Sequence, residues 1–486
     1  MRPETTRVES AGHSILARNS MILVGTEILA KCMGLLVFIP LARTVGAAEL
    51  GTLAFAVSIS QLVVHLPRFG FERFVQRQLS RSPETFSRLW ATIMAIKAPF
   101  SGIAAGGVLT ILWLNRTPIS KMWIVLLVLT SMLLYDSLAQ FHSACFRAFH
   151  RAEYEAVVRL LYSAIYVVGG LAAIRSGWGV TGVASALVVA GAVAVAHSTW
   201  LLHRRICSLT LSVDRAAITP VLTESLPFFL MILVVLIYNQ IDMILLSFMS
   251  GDHETGIYAA AMKPFEATSL IPAGVMGTLL PALSRDWPVS KEQFAKTFTA
   301  SFRYMGMLGL PLAVGGVVCA VPLVQFLYGG KYEESARAFQ ILIVAVVFSF
   351  WNHLFSAALV AMNREKDLLK IGIGGVVVSI ALNLSLIPRY GALGSGMAVV
   401  VTQLCLFLLA FIPIFREIKN SLNVVVTLFR PVLCTGAMAV VLWLIYGSPL
   451  PVLILVGIAV YLGALMASGT VRPKQLRLLL GRHQQG

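Results

Sequence analysis

From residue 15 to residue 469 the chain alternates long apolar runs with short polar or basic breaks. Fourteen runs stand out, at 15–42, 50–66, 87–113, 119–143, 155–175, 179–202, 220–249, 256–281, 296–328, 333–362, 367–388, 391–413, 427–446 and 450–469. A run of about 20 apolar residues crosses a ~30 Å hydrocarbon layer as a helix. Inside that layer the backbone must satisfy its own hydrogen bonds, which a lone segment does only as a helix. The pattern therefore predicts an all-α polytopic membrane protein with about 14 transmembrane helices. No segment between the runs exceeds roughly 20 residues, too few for a soluble catalytic domain.

The breaks repeat. GAAELGTLAFA (46–56) and GDHETGIYAAA (251–261) share G-x-x-E-x-G before a helix start of small and aromatic residues, 205 positions apart. LSR at 79–81 matches LSR at 283–285, FHR at 149–151 sits like MNR at 362–364, and GVTG at 179–182 sits like GALG at 391–394. Corresponding breaks fall on the same side of the membrane, so the halves read as two parallel six-helix repeats related by an axis along its normal. The organisation is then a cytoplasmic tail (1–14), an N-terminal six-helix bundle (15–202), a cytoplasmic linker (203–219), a C-terminal six-helix bundle (220–413), two additional helices (414–469) and a basic cytoplasmic tail (470–486). Such halves place a cavity at their interface that opens to one side at a time. Prolines within or near the spans, at 40, 99, 227, 264, 272, 281, 311 and 322, supply bending points for that motion.

Composition agrees: hydrophobic residues make up 58%, charged residues 12%, and mean hydropathy is +0.83, far from soluble domains. The net charge of +16 would suggest a nucleic-acid partner in a soluble protein. Its distribution says otherwise. Of the 38 Lys and Arg, 28 fall in the tails, in breaks or at run ends on one side, seven on the other, and three, Lys31, Lys97 and Lys263, well inside spans. The positive-inside rule makes the basic side cytoplasmic, with both termini there and an even number of spans. The excess charge reports topology, not nucleic acid. The N-terminus has no short apolar stretch followed by a cleavage site, so the first span is expected to stay. The six cysteines contain no CxxC and form no disulfide framework.

Charges within spans are costly unless they face a partner, water or a ligand, so they mark candidate sites. Glu27 and Lys31 stand four apart in the first span, on one helix face and in the favourable order. They form either a self-neutralising pair or one whose charge turns to a ligand. In the seventh span Asp242 lies about 10 Å below its outer end, with Tyr238 and Asn239 on its face. Lys263 lies at similar depth in the eighth span, one turn above Glu266, which makes Asp242 and Lys263 an expected pair. Lys97 and Asp136 form a second candidate pair. Lys31, Lys97 and Lys263 around a cavity suit a phosphate-bearing substrate; a structural ion pair or snorkelling is the plainer reading of each. Glu27, Asp136, Asn239, Asp242 and Glu266 are the candidate ion-coupling or cavity-polar groups, for H+ or Na+ alike. At the 205 offset Asp242 corresponds to the apolar Val37, so its charge belongs to something the halves do not share.

No phosphate loop, HExxH or Cys/His cluster appears, so neither nucleotide hydrolysis nor a metal or other cofactor is expected, and no catalytic residues are assigned. Transport is favoured over catalysis. The stretches LARTVGAAELGTLAFAVSISQLVVHLPRFGFERFVQRQLSR and NQIDMILLSFMSGDHETGIYAAAMKPFEATSLIPAGVMGTLLPALSR, with AMNREKDLLKIGIGG and RYGALGSGMAVVVTQ, resemble the bacterial polysaccharide biosynthesis exporters. These belong to the multidrug, oligosaccharidyl-lipid and polysaccharide exporter superfamily, and the resemblance covers most of residues 15 to 415. It implies two six-span bundles, often with two added spans. It also implies movement of polyprenyl-diphosphate-linked oligosaccharide across the bacterial inner membrane among membrane lipids and polysaccharide assembly proteins. Asp242 matches an aspartate of the family's pattern; the three lysines match no family motif. The expectation is a flippase working by alternating access. A drug or metabolite:cation antiporter on the same fold, and a membrane-embedded glycosyltransferase or polymerase, are the alternatives.

Overall fold

The computed structural model describes residues 4–79, 86–207, 212–417, 424 and 426–470. Ser80 and Arg81 of the first LSR landmark, 208–211 of the expected linker, 418–423, and the basic tail from 471 onward lie outside the described residues. Among the described residues there are helices and no strands.

The helices are α1 (Glu4–Thr44), α2 (Ala47–Arg68), α3 (Phe71–Leu79), α4 (Phe86–Leu114), α5 (Ile119–Met132), α6 (Gln140–Ala148), α7 (Ala152–Arg175), α8 (Gly179–Arg205), α9 (Arg215–Thr268), α10 (Leu270–Val289), α11 (Lys291–Tyr328), α12 (Glu333–Ala361), α13 (Glu365–Phe415), α14 (Phe429–Leu444) and α15 (Leu450–Ala467). A π-helical turn, Leu133–Ala139, joins α5 to α6. Among the described residues, eleven helical stretches are long and apolar enough to cross a membrane. The expected fourteen do not appear as fourteen separate helices, for a local reason. Helix α9 carries the seventh run and the first half of the eighth with a single non-helical residue between them, Gly251, and α13 carries the eleventh and twelfth around Gly391. Helix α14, at 16 residues, is shorter than a full span.

Two compact units emerge, Met1–Ser247 and Phe248–Gly486. In the first, α1 lies along α7, α7 against α8, and α5 against both α8 and α2. Its core is a cluster around Phe71, Phe74, Phe86, Phe141 and Phe146. In the second, α12 packs between α11 and α13. Aromatic rings fill that space: Phe298 and Phe302 on α11 stack on Phe355 of α12, which stacks in turn on Phe407 of α13.

The repeat is visible in the backbone of each unit taken alone. His150 and Asn363, 213 residues apart, occupy the left-handed region at φ 56° and 55°. Each sits in a helix end closed the same way, by Arg151 N–H on the Phe146 carbonyl (2.9 Å) and Arg364 N–H on the Leu359 carbonyl (2.8 Å). Gly179 and Gly391 share φ 54° and 53° at the next landmark. The G-x-x-E-x-G glutamates meet these glycines. Glu254 accepts the Ala392 N–H at 2.7 Å, and a side chain at Gly391 would collide with that carboxylate. In the first unit the Glu49 carboxylate lies 3.6 Å from where a Gly179 Cβ would stand. An acid at a helix N-terminus satisfies a donor that the helix leaves open, which explains why the motif pairs an early glutamate with a much later glycine.

Two prolines that the sequence offers as bending points are braced. A proline inside a helix removes the N–H that would bond the carbonyl four residues earlier. Pro311 thus frees the carbonyl of Met307, and the Tyr461 hydroxyl on α15 donates to it at 2.7 Å. Pro264 frees that of Ala260, and the Tyr328 hydroxyl donates to it at 3.1 Å. Both tyrosines are buried. The C-terminal hairpin of α14 and α15 is therefore pinned at the kink of α11, where its apolar cluster of Met438, Leu442, Leu453 and Leu465 also packs. Tyr461→Phe keeps the ring and removes the donor. Unfolding of the purified protein in detergent micelles is expected to show a loss of about 1–3 kcal/mol; an unchanged midpoint would mean the Met307 carbonyl needs no outside donor.

Candidate functional site

Helix α2 ends at Phe69 and Gly70, both in the left-handed region (φ 41° and 72°). Glycine is required at 70, because a Cβ there would stand 2.8 Å from Phe228 Cβ and 2.9 Å from the Ser225 carbonyl. The break leaves helix-end carbonyls open, and the π-helical turn nearby does the same for Ser137. Lys97, 1% exposed on α4, answers both. Its ammonium donates to the Pro67 carbonyl (3.0 Å), the Ser137 carbonyl (2.8 Å) and Ser137 Oγ (3.2 Å). The Phe71 and Phe141 rings lie 5.6 and 5.2 Å away, within cation–π range. Three acceptors use all three of its N–H bonds. The expected ion pair between Lys97 and Asp136 is not made. Asp136, on the π-helical turn, instead lies within electrostatic reach of Arg68 and Glu72.

Arg68 and Glu72 form a two-point ion pair (2.8 and 2.7 Å) across the α2–α3 break. Glu72 also lies within electrostatic reach of Lys97 and Arg147. A second chain of charges runs through α6, α7 and α1. Glu155, 1% exposed, accepts from Arg147 at 2.5 Å and Arg159 at 2.9 Å on one carboxylate oxygen, while the other has no partner. Arg159 also faces Glu27 at 3.7 Å, and Glu27 faces Lys31 at 3.5 Å. The Glu27–Lys31 pair read from the spacing is therefore present, half exposed, and extended by an arginine from another helix. Arg68, Glu72 and Arg147 fall in breaks of the hydrophobicity pattern, and Glu155 and Arg159 in the first residues of its fifth run. The i, i+4 spacings Arg68/Glu72 and Glu155/Arg159 were the signal that could have placed them on helices.

Polar residues continue along α2. Gln61, His65 and Arg68 recur there at helical spacing, and with Glu72 beyond the break they are all partly buried. The Gln240 side chain of α9 donates to Gln61 Oε1. Asp242 is 5% exposed and accepts the Met243 N–H at 2.7 Å; Asn239 is exposed. Near the end of this segment Lys121 donates to Ser247 Oγ at 3.1 Å. In the second unit Lys263 pairs with Glu266 at 2.9 Å, both part exposed. Asp242 and Lys263 fall in different units, and their pairing stays an expectation.

Solved structures share this all-helical fold. One titled "Lipid II flippase MurJ, inward closed conformation" superposes with a TM-score of 0.76, covering 93% of this chain and all of that one at 13% identity. The chain belongs to the family described as "Polysaccharide biosynthesis protein", which it matches over residues 16–287; residues 227–384 also match the MatE family. Among curated relatives, "Probable flippase AglR" of Haloferax volcanii is 26% identical over 228 residues, 45% of this chain and 48% of that protein. "EPS I polysaccharide export inner membrane protein EpsE" of Ralstonia nicotianae is 24% identical over 159 residues, 32% of this chain and 36% of that protein. The chain thus spans about half or less of the length of the curated relatives it matches. These names describe transport, not bond-making chemistry.

The contrast between two lysines is measurable. Lys97→Met leaves buried carbonyls without donors and is expected to lower stability by about 1–3 kcal/mol. Lys31→Met removes an exposed pair and is expected to change it by less than about 0.5 kcal/mol. Unfolding in micelles reads both; equal effects would contradict the assignment of Lys97 as a helix-end tie.

Proposed function

We propose that the protein is a flippase that moves polyprenyl-diphosphate-linked oligosaccharide from the inner to the outer leaflet of a bacterial inner membrane by alternating access. Membership of the polysaccharide biosynthesis family is the observation that carries this reading, and the concentration of charge on the first unit's helices supports it. Two six-helix bundles, 15–202 and 220–413, rock about the repeat axis, with both termini cytoplasmic and polysaccharide assembly proteins as partners. Lys31 and Lys263, part exposed in their spans, attract the diphosphate as compact cations, and Lys97 holds the helix ends beneath it. Glu27, Asp242 and Glu266 couple the cycle to an H+ or Na+ gradient by exchanging partners as the bundles move, with Asp136 and Asn239 lining the route. A metabolite:cation antiporter is the second reading, favoured by the MatE match over residues 227–384.

Reconstitution tests this directly. Vesicles containing the protein and a fluorescent polyprenyl-diphosphate sugar are expected to redistribute the lipid between leaflets when an H+ or Na+ gradient is imposed. An unchanged distribution under every gradient counts against flipping, and gradient-driven efflux of small hydrophobic cations supports the antiporter. In the same assay Asp242→Asn is expected to lower transport about tenfold or more while the protein inserts and unfolds like wild type. Lys263→Gln is expected to give a matching defect. Wild-type rates in both variants would remove this acid and this lysine from the cycle.

A further inference from the structure

The polar stripe of α2 ends on a contact of unusual type for a membrane span. At one end Arg68 is held by Glu72 at two points, and Lys97 is saturated by three oxygens close by. Seven residues along, about 10 Å at the helical rise, Gln61 meets Gln240 through a single amide-to-amide hydrogen bond. Both glutamines are partly buried. Their remaining amide atoms are not among the buried polar atoms left without partners.

A side-chain amide has two donors and an acceptor with two lone pairs, and one mutual hydrogen bond leaves most of that capacity unused. Breaking a neutral hydrogen bond is cheap beside parting a desolvated, two-point ion pair. Of the polar ties on this stripe, the amide contact therefore exchanges partners most readily. Its groups complement sugar hydroxyls, which both donate and accept.

We propose that Gln61 and Gln240 form an amide clasp that reads the sugar: it parts to hydrogen-bond hydroxyl groups of the saccharide head and recloses when the head has left. The clasp determines specificity, while Lys31 and Lys263 act on the diphosphate. This rests on the flippase reading above. It adds that selectivity among sugars resides in two uncharged residues on α2 and α9.

The test compares two fluorescent polyprenyl diphosphates in reconstituted vesicles, one carrying glucose and one carrying its dideoxy counterpart. Wild type is expected to favour the glucose lipid in kcat/KM. In Gln61→Leu and Gln240→Leu that preference is expected to fall about tenfold, with transport of the dideoxy lipid retained. Asparagine at either position, which keeps an amide, is expected to restore part of the preference. If a leucine variant does not fold, Gln61→Met keeps the side-chain length and replaces it. Slowing of both lipids with an unchanged ratio would overturn the proposal, because a clasp that only joins helices does not distinguish hydroxyls. Transport of neither lipid by wild type would instead remove the flippase reading itself.

Discussion

Hydrocarbon offers no hydrogen bonds, so every polar group carried into the membrane must find its partner within the protein. Much of the structure follows from that single deficit. Where Pro311 and Pro264 deprive helices of a donor, tyrosine hydroxyls from other helices supply one. Where α2 breaks at Phe69 and Gly70, and where the π-helical turn disturbs the path between α5 and α6, one buried lysine serves both places. Polar side chains in these spans are thus often the means by which irregular backbone becomes tolerable. Their presence alone does not separate binding from repair.

The two units solve the same problem differently. Their landmark turns agree closely in backbone, as His150 with Asn363 and Gly179 with Gly391 show. Their interiors diverge. The first gathers Arg68, Glu72, Lys97, Asp136, Arg147, Glu155 and Arg159 among its helices, whereas the second fills the space between α11, α12 and α13 with stacked aromatic rings. At the repeat position of Asp242, which itself falls in the first unit, stands Val37, fully buried against Gly170 of α7. The close crossing of α1 and α7 leaves no room for an acid there.

The hydrophobic pattern located nearly every helix, because a span must be long and apolar whatever surrounds it. Its errors have one origin: it treats charge as a sign of a loop. Arg68 and Glu72 neutralise each other one helical turn apart, and Glu155 is flanked by two arginines, so these charges lie on helices without an exposed break. Conversely, helix resumes directly on either side of Gly251 and Gly391 although polar residues stand beside both.

Sequence alone determined the membrane class, the repeat and the Glu27–Lys31 pair, since each depends on spacing along one chain. Tertiary structure decided which partners the remaining charges take. Lys97 faces carbonyls instead of Asp136, Arg159 joins Glu27 to Glu155, and Gln61 meets Gln240 across 179 residues of sequence. These choices depend on which helix faces meet, and helical periodicity identifies a face without naming its neighbour.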